Sequence, residues 1–241
     1  RDFRNVKKLD DLDLDVKAGE IHGIAGVDGN GQSELIETLT GLKIAESGSI
    51  LFKGDEILNR SPREIIEKGI NSIPEDRQLR GLVLNFSVAE NMILKNYYKN
   101  KYSKNGILNF KNIVENATKL EDDYDIRPRN IDRLAGELSG GNQQKVILAR
   151  EISGDPDLLI AAQPTRGLDV GAIEYIRNFL ISQRDKGKAV LLISFELDEI
   201  MALSDRISVI YNGKILKTFD AKETNESEIG LYMAGGKNEE K

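Results

Sequence analysis

Residues 138–145 read Leu138-Ser139-Gly140-Gly141-Asn142-Gln143-Gln144-Lys145, and this stretch decides how the rest of the chain is interpreted. Ser139 is a residue type that caps helix N-termini, and the apolar density of residues 146–152 predicts a helix packed against a core. The two glycines lack a Cβ, so a bound group can approach the backbone N–H groups at the helix start, where partial positive charge collects. The stretch predicts an anion site, and an ordinary capped helix is the alternative.

A second glycine-rich stretch lies between a strand and a helix near the start of the chain. Ile21–Ala25 has the pattern of a short buried strand, and Glu34–Leu39 has helical character. The loop between them reads Gly26-Val27-Asp28-Gly29-Asn30-Gly31-Gln32-Ser33. In that order, strand, loop and helix form the context in which successive backbone amides cradle a phosphate.

The loop matches the phosphate-binding pattern G-x-x-x-x-G-K-[ST] at every fixed position except one. Gln32 stands where a lysine reaches the β and γ phosphates. Glutamine can donate a hydrogen bond but carries no charge, so we expect nucleotide binding to be weakened roughly tenfold or more. Ser33 keeps the hydroxyl that would contact Mg²⁺. The predicted nucleotide-binding residues are Gly26, Val27, Asp28, Gly29, Asn30, Gly31, Gln32, Ser33 and Glu34, and a turn that never meets a nucleotide is the alternative.

Composition bounds the class of protein. The chain has 241 residues, is 39% hydrophobic and can form a substantial core. Its longest apolar runs, such as Leu158–Ala162 and Ala189–Ile193, fall far short of the roughly 20 residues that a membrane-spanning helix needs. Cysteine is absent, which excludes disulfides and cysteine-ligated metals. A net charge of −6 argues against a broad nucleic-acid surface.

Taken together, the glycine-rich loop, the Ser139 stretch and the segment Gln163-Pro164-Thr165-Arg166-Gly167-Leu168-Asp169 resemble the motifs of ATP-binding-cassette (ABC) ATPases, in the family's order and spacing. The resemblance implies an α/β fold: a P-loop NTPase (RecA-like) core with an antiparallel β subdomain and an inserted α-helical subdomain. It places the core and β subdomain at 1–75 and 139–241, and the helical subdomain at 76–138. It also implies ATP and Mg²⁺ as cofactors.

Four positions depart from the family's pattern, and each removes one catalytic element. Besides Gln32, Ala162 replaces the aspartate that orders Mg²⁺, so Ser33 is left as a weak metal ligand. Gln163 replaces the glutamate that acts as general base, and an amide cannot take a proton from water. Phe195 replaces the switch histidine, and a phenyl ring cannot hydrogen-bond the γ phosphate. No catalytic residue is assigned, and the degenerate positions are Gln163, Phe195 and Glu75. In the Pro-Glu-Asp-Arg segment, which resembles the form seen in sugar and nucleoside importers, Glu75 holds the position of a glutamine that contacts metal and water in the family.

The signature stretch is intact, and in the family it completes the ATP site of a second cassette arranged head to tail. The resemblance therefore implies that Ser139, Gly140, Gly141 and Gln143 act in trans, while Leu168 and Asp169 belong to the loop through which paired cassettes communicate. This half is expected to be defective in hydrolysis at its own site. The string Ala161–Glu174 looks like the second, C-terminal cassette of a fused nucleoside importer ATPase, with a pentose or galactoside importer as the close alternative.

That resemblance sets the expected partners and location. The chain, which begins at Arg1, is expected to be part of a longer polypeptide that carries an N-terminal cassette. It is expected to dock on membrane permease subunits at the cytoplasmic face of the cell membrane, and to serve an extracellular substrate-binding lipoprotein indirectly. No nucleic-acid partner is expected. Two alternatives stay open: a self-sufficient ATPase in which other groups compensate, and a soluble ABC factor acting on ribosomes or DNA.

Further local predictions concern residues outside these motifs. Val6–Val16 alternates imperfectly and predicts a half-exposed antiparallel strand. His22, the single histidine, is predicted to be a core residue. Lys95–Asn105, rich in lysine, asparagine and tyrosine, predicts an exposed loop. Asn212-Gly213 predicts a hairpin turn, and Lys237–Lys241 a frayed tail. Phe3 is one aromatic that could stack on adenine, and the sequence leaves this open.

Overall fold

A computed structural model describes residues 7–236 of the chain. Phe3 and the tail 237–241 lie outside the described residues. The strands are β1 Ile21–Ala25, β2 Leu51–Phe52, β3 Asp55–Glu56, β4 Ile70–Ile73, β5 Ser103–Lys104, β6 Ile107–Leu108, β7 Leu158–Ala162, β8 Ala189–Ser194, β9 Arg206–Tyr211 and β10 Lys214–Asp220. The helices are α1 Gln32–Leu39, α2 Pro62–Glu67, α3 Val88–Ile93, α4 Phe110–Asp123, α5 Gly140–Ile152, α6 Val170–Asp185, α7 Leu197–Leu203 and α8 Glu226–Met233.

A six-stranded sheet with the order β10-β9-β1-β8-β7-β4 forms the centre of the fold. β1 runs parallel to β8 and β9, and β7 runs parallel to β8, while β10 returns antiparallel to β9. The register pairs Ala25 with Ser194 and Ala162 with Ile193, so the carboxyl ends of β1, β7 and β8 share one edge. In open α/β sheets ligands bind at that edge, which makes the residues just after these strands the place to look for a site.

The inner strands are apolar because both of their faces are covered. Every residue of β1 and of β8 is buried, as expected for parallel strands with elements packed on both sides. His22 lies in β1, fully buried, where its Nε2 and the Ser208 Oγ are 2.8 Å apart and its Nδ1 lies 2.7 Å from the Asp15 carbonyl oxygen. The prediction that His22 is a core residue is confirmed.

The helix starts follow local chemistry. In α2 the Ser61 side chain accepts from the Glu64 N–H while the Glu64 carboxylate accepts from the Ser61 N–H, and Pro62 occupies the first helical position. Ser87 and Glu90 form the same reciprocal pair at the start of α3. The predicted hairpin is also present: β9 and β10 pair around Asn212 and Gly213, both with positive φ. Along residues 7–236, no helix combines the length and the apolarity that a membrane crossing requires.

The chain groups into two compact units. The first comprises the residues up to Ser72, Asp157–Gln163 and those from Ile176 onward; the second comprises Ile73–Pro156 and Pro164–Tyr175. The second unit thus contains α5 together with the inserted helices. The sequence predicts a different division, with a core and β subdomain at 1–75 and 139–241 and a helical subdomain at 76–138, and that division stays a prediction.

The α/β fold class is confirmed, and two local predictions are wrong. The predicted strand begins at Val6, which lies outside the described residues; in residues 7–16 exposed and half-buried residues alternate, but Asp11 takes a positive φ and the segment joins no strand ladder among residues 7–236. Its apolar side chains, Leu9, Leu12, Leu14 and Val16, still pack against the core. Lys95–Asn105 is not simply an exposed loop, because Tyr102 is buried with its hydroxyl donating to Asn116 Oδ1 at 2.8 Å, and β5 pairs with β6.

Candidate functional site

The glycine-rich loop 26–33 connects β1 to α1, as predicted. Gly31 has φ +110, and a Cβ there would lie 2.7 Å from the Lys8 carbonyl oxygen, so only glycine fits this position. At Gly29 nothing approaches within 4 Å of the Cβ position. The loop therefore has one face closed by the chain around residue 8 and one open face.

Asn30 fixes the loop to the β9–β10 turn. Its Oδ1 accepts from the Asn212 N–H at 2.8 Å, and its carbonyl oxygen accepts from the Gly213 N–H at 2.8 Å. Its Nδ2 also donates to the Val27 carbonyl oxygen at 2.9 Å. Because the hydrogen bond between Asn30 and Asn212 joins positions 182 residues apart, no local sequence pattern predicts it. It holds the loop in shape by hydrogen bonds between neutral groups.

Gln32, the first residue of α1, is buried against the loop that precedes it. Its Nε2 donates to the Val27 carbonyl oxygen at 3.0 Å, whereas its Oε1 is buried and makes no hydrogen bond with any residue in 7–236. A buried amide oxygen without a donor is costly, so it marks a place where a water or ligand group belongs. Ser33 and Glu34 follow in the first turn of α1, half-buried, and Glu34 lies 3.9 Å from Lys43.

The other three substituted positions lie at the ends of β7 and β8, in the same compact unit as the loop. Ala162 is fully buried, and Gln163 takes a left-handed φ of +46. Gln163 N–H donates to the Ile193 carbonyl oxygen at 2.8 Å, and its Oε1 accepts from the Phe195 N–H at 3.4 Å. Its Nε2 is buried and finds no acceptor within the described part of the chain. Ala162, Gln163 and Phe195 therefore lie at the ends of the adjacent strands β7 and β8, whereas Gln32 is the first residue of α1, after the loop that follows β1.

These residues do not fit a hydrolytic Mg²⁺ site. Mg²⁺ is held in proteins by carboxylates and hydroxyls together with substrate phosphates. The end of β7 supplies a methyl group and an amide, and the amide oxygen already accepts the Phe195 N–H. No cluster of three histidine, aspartate or glutamate side chains suited to a metal occurs between residues 7 and 236. Ser33 remains as the predicted metal contact, and no anionic ligand stands at Ala162 or Gln163.

The Ser139 stretch begins α5 in the second compact unit. Ser139 is the N-cap: its Oγ accepts from Asn142 Nδ2 at 2.9 Å and from the Asn142 N–H at 3.5 Å. Ser139 is exposed and no acidic residue occupies the first turn, so nothing anionic on the helix competes for its N–H groups. The local geometry is that of an anion site open to solvent.

Gln143 lies differently from Ser139. Its side chain is buried, donates from Nε2 to the Ala135 carbonyl oxygen at 3.1 Å and accepts from Gln78 Nε2 at 3.1 Å. The side chain thus holds the start of α5 in place from within, and its predicted part in a site in trans stays a prediction.

The segment 164–169 precedes α6 in the same unit. Leu168 N–H donates to the Thr165 carbonyl oxygen at 3.2 Å, which closes a four-residue turn, and Asp169 Oδ1 accepts from the Ala172 N–H at 2.9 Å. Leu168 is half-buried and Asp169 exposed. Glu75 is half-buried, 3.8 Å from Arg166. Arg77, which the sequence did not single out as a site residue, donates to two carbonyl oxygens of this segment.

Comparison with known proteins finds one family and a set of relatives. The model of the ABC transporter family matches residues 9–166. The chain is 56% identical over its full length to a guanosine import ATP-binding protein of Bacillus subtilis, covering 47% of that protein. It is 52% identical over 98% of its length to a nucleoside import ATP-binding protein of Lactococcus lactis, covering 47% of it, and 44% identical over 98% to a glucose import ATP-binding protein of Haloferax volcanii, covering 43%. The chain thus spans about half the length of these relatives.

Solved structures give the same result for the fold. A nucleotide-free ATP-binding cassette of an ABC transporter superposes with a TM-score of 0.78 at 26% identity, over 97% of this chain and 92% of that one. The ADP conformation of an ATP-binding cassette superposes with a TM-score of 0.75 at 26% identity, over 97% and 91% of the two chains. The fold is that of an ATP-binding cassette.

Proposed function

Because this chain belongs to the ABC transporter family, we propose that it is the nucleotide-binding domain of an importer whose own ATP site is degenerate and whose signature completes the site of a second cassette. ATP is the ligand, held between the phosphate loop of one cassette and the signature of the other. The chain spans about half the length of its relatives, which supports a partner cassette within the same polypeptide. The resemblance of residues 161–174 to a second cassette supports this chain as the C-terminal half.

The observation that carries the proposal is that the four substitutions that each remove a catalytic element lie in a different compact unit from the signature stretch; Glu75, which stands in place of a glutamine, lies in the second unit. All four substituted positions, Gln32, Ala162, Gln163 and Phe195, lie in the first compact unit. The start of α5 and the loop 164–169, which keep the family's residues, lie in the second. One unit has lost the charges for hydrolysis, and the other keeps its phosphate-facing donors.

The chemistry of the substituted positions explains why the chain's own site is expected to be inactive. Attack on the γ phosphate needs a base or positioning group for water and positive charge on the phosphate oxygens. Gln163 can neither take a proton nor carry charge, and its side chain is engaged with the Phe195 N–H. Gln32 offers a neutral amide in place of an ammonium group. ATP and Mg²⁺ are therefore bound weakly at this site.

The signature side needs no such charge. Its donors are the backbone N–H groups at the start of α5, supplemented by the Ser139 hydroxyl, and a helix start favours an anion through its backbone N–H groups and its dipole. Gly140 and Gly141 allow the phosphate to come close to the backbone. In this arrangement Ser139 binds the γ phosphate of the ATP held by the partner, and Asp169 with Leu168 contacts the partner's cassette.

Sequence similarity supports the cargo and the partners. The relatives with the highest identities reported above are named for import of guanosine and of nucleosides, at 56% and 52% identity, and a glucose importer follows at 44%. We therefore assign the chain to a nucleoside importer, with simple sugars as the alternative cargo. The other components are membrane permease subunits and an extracellular substrate-binding lipoprotein, and the chain works at the cytoplasmic face of the membrane.

The test compares the chain alone with the assembled pair of cassettes. The 241-residue chain with ATP and Mg²⁺ should show no turnover above background. When it is paired with its competent cassette and permease, Ser139→Ala should lower the ATPase rate of the pair by roughly tenfold or more, because a transition-state donor is lost. Robust hydrolysis by the chain alone, or a pair that is indifferent to Ser139→Ala, contradicts the proposal.

A set of reverting substitutions separates the proposal from a self-sufficient ATPase. Gln32→Lys, Ala162→Asp, Gln163→Glu and Phe195→His together should create activity at the chain's own site. A self-sufficient enzyme would already be active and would change little. A factor acting on ribosomes or DNA would bind nucleic acid in a salt-sensitive manner, and the net charge of −6 counts against it.

A further inference from the structure

Arg77 connects three segments of the second compact unit. It opens a π-helical turn, Arg77–Gly81, whose preceding residue Asp76 accepts from the backbone N–H groups of Gln78 and Leu79. The hydrogen bond from the Leu79 N–H lowers the pKa of Asp76 by more than burial raises it, so this pKa lies below its usual value. Single π-helical turns are rare and occur frequently at functional sites. This turn lies two residues after Glu75.

The guanidinium group of Arg77 binds both central residues of the turn in segment 164–169. Its Nη1 donates to the Arg166 carbonyl oxygen at 2.6 Å and its Nη2 to the Gly167 carbonyl oxygen at 3.3 Å. Gly167 has φ +66, which only glycine adopts readily, so the turn exposes two adjacent carbonyl groups in a fixed orientation. The rigid fork of an arginine matches such a pair, whereas a lysine presents a single point.

The same guanidinium group lies against the first residue of α5. A Cβ at Gly140 would be 3.0 Å from Arg77 Nη2. The side chain thus touches the phosphate-facing stretch and the 165–168 turn at once. Its Nε is buried and has no hydrogen-bond partner among residues 7–236. Because a buried donor without a partner costs stability, a role other than stabilising the fold would explain why an arginine stands here.

We propose that Arg77 is a positioning residue that keeps the Ser139-Gly140-Gly141 stretch and the 165–168 turn in one fixed arrangement, so that both meet the nucleotide of the partner cassette together. The inference rests on the proposed function, because only a signature that serves a partner needs this alignment. Arg77 donates to backbone carbonyl oxygens of the same unit. It acts through the backbone of Gly140, Arg166 and Gly167.

Other contacts keep the unit folded when Arg77 is changed. Gln144 Nε2 donates to the Pro164 carbonyl oxygen at 2.9 Å, and Gln78 Nε2 donates to Gln143 Oε1 at 3.1 Å. These bonds also link α5 to segment 164–169 and to the π-helical turn. A variant at Arg77 should therefore retain its fold while losing precise alignment.

The experiment measures ATP hydrolysis by the assembled pair of cassettes with its permease. Arg77→Ala should lower kcat by roughly tenfold to a hundredfold, since misplacement by about 1 Å has effects of this size, and leave the KM for ATP within about twofold. The kcat of Arg77→Lys should fall between that of the parent and that of Arg77→Ala. Arg129→Ala is the matched control: it removes an exposed arginine of the same unit, paired with Asp122, and should change nothing.

Chemical rescue separates positioning from a merely structural role. Millimolar ethylguanidinium should restore part of the kcat of Arg77→Ala, and sodium chloride at the same ionic strength should not. In a double-mutant cycle with Gly167→Ala, which strains the turn, the two effects should be less than additive because both act on the same carbonyls. Unchanged kcat in Arg77→Ala overturns the proposal, as does a loss of kcat that follows a lowered thermal midpoint and resists ethylguanidinium.

Ser139→Ala distinguishes failure of this inference from failure of the proposed function. If the pair loses hydrolysis with Ser139→Ala but not with Arg77→Ala, the signature serves the partner and Arg77 does not position it. If the pair tolerates Ser139→Ala, the proposed function is wrong, and the inference about Arg77 falls with it.

Discussion

Gln163 Oε1 accepts a hydrogen bond from the Phe195 N–H at 3.4 Å, so two of the four substituted positions are bonded to each other. The resemblance to ABC ATPases places a catalytic glutamate at the first of these positions and a switch histidine at the second. Here the amide of Gln163 is held by the backbone after β8 and its Nε2 is left without an acceptor among the described residues. Gln163 is therefore bonded to the backbone of residue 195, and this bond does not involve the phenyl ring of Phe195.

Gln32→Lys should tighten ATP binding at the chain's own site roughly tenfold, because an ammonium group adds charge to a hydrogen bond with phosphate. Titration of the 241-residue chain with a fluorescent ATP analogue measures the change. Gln32→Met, similar in length but without a hydrogen-bond donor, is the control and should bind no better than the parent. Equal affinity in all three proteins would mean that phosphate does not reach residue 32.

Binding of ATP at this site should depend little on Mg²⁺. The ends of β7 and β8 provide no carboxylate at Ala162 or Gln163, so the ATP affinity should differ less than about threefold between Mg²⁺ and EDTA. Ala162→Asp with Gln163→Glu should make binding Mg²⁺-dependent. The same titration, repeated in both buffers, gives the answer, and a strong Mg²⁺ requirement in the parent chain would refute it.

The unfolding free energy should fall between pH 7.5 and 5.5 because of His22. Burial lowers the pKa of His22 below its ordinary value of 6.5, so the unfolded chain binds a proton at a pH where the folded chain does not. The contribution of His22 to the unfolding free energy is therefore fully present above pH 6.5 and is lost as the pH falls toward the pKa of His22 in the folded protein. Urea denaturation at several pH values measures the slope.

His22→Gln supplies the control for that slope. The variant should be less stable at every pH, since the buried Ser208 hydroxyl loses a partner, but its stability should be nearly flat over the same interval. His22 is the single histidine of the chain, so no other side chain has an ordinary pKa in this range. An unchanged slope in the variant would exclude His22 as its source.

Glu151→Ala should destabilise the second unit by about 3–5 kcal/mol. The Glu151 carboxylate is fully buried, 2.5 Å from Lys95 Nζ and 2.9 Å from Arg150 Nε, so its removal leaves a buried cation at Arg150 without its partner. Lys111→Ala, at the exposed pair with Glu115, should stay within about 0.5 kcal/mol of the parent. Comparison of the urea unfolding midpoints of Glu151→Ala and Lys111→Ala tests whether burial of the ion pair sets the size of the destabilisation.

The parts of the fold that could be predicted are those decided by local chemistry. β1, β8, the capped start of α2 and the turn at Asn212-Gly213 follow from apolar runs, a Ser-Pro start and a residue pair that accepts positive φ. The order of motifs along the chain was likewise enough for the fold class. These features need no knowledge of distant residues.

The features that could not be predicted depend on contacts between distant residues. Residues 7–16 alternate in burial like a strand, yet they form no strand ladder with any residue in 7–236, and within that range their backbone hydrogen bonding to the β9–β10 turn is a single bond from the Asp10 N–H to the Gly213 carbonyl oxygen. The buried side chain of Gln143 and the bond from Arg77 to a carbonyl 89 residues away leave no periodic trace in the sequence. The candidate site was therefore predicted by residue type, whereas its internal support was visible only in the structure.

The placement of the four substitutions in one compact unit, apart from the signature stretch, has an evolutionary consequence. Under the proposed function, selection for hydrolysis by the partner cassette constrains the residues around Ser139 and Arg77, while the residues around Gln32 and Gln163 can change as long as the unit folds. Sequences descended from a common ancestor should accordingly diverge faster around Gln32 and Gln163 than around Ser139 and Arg77.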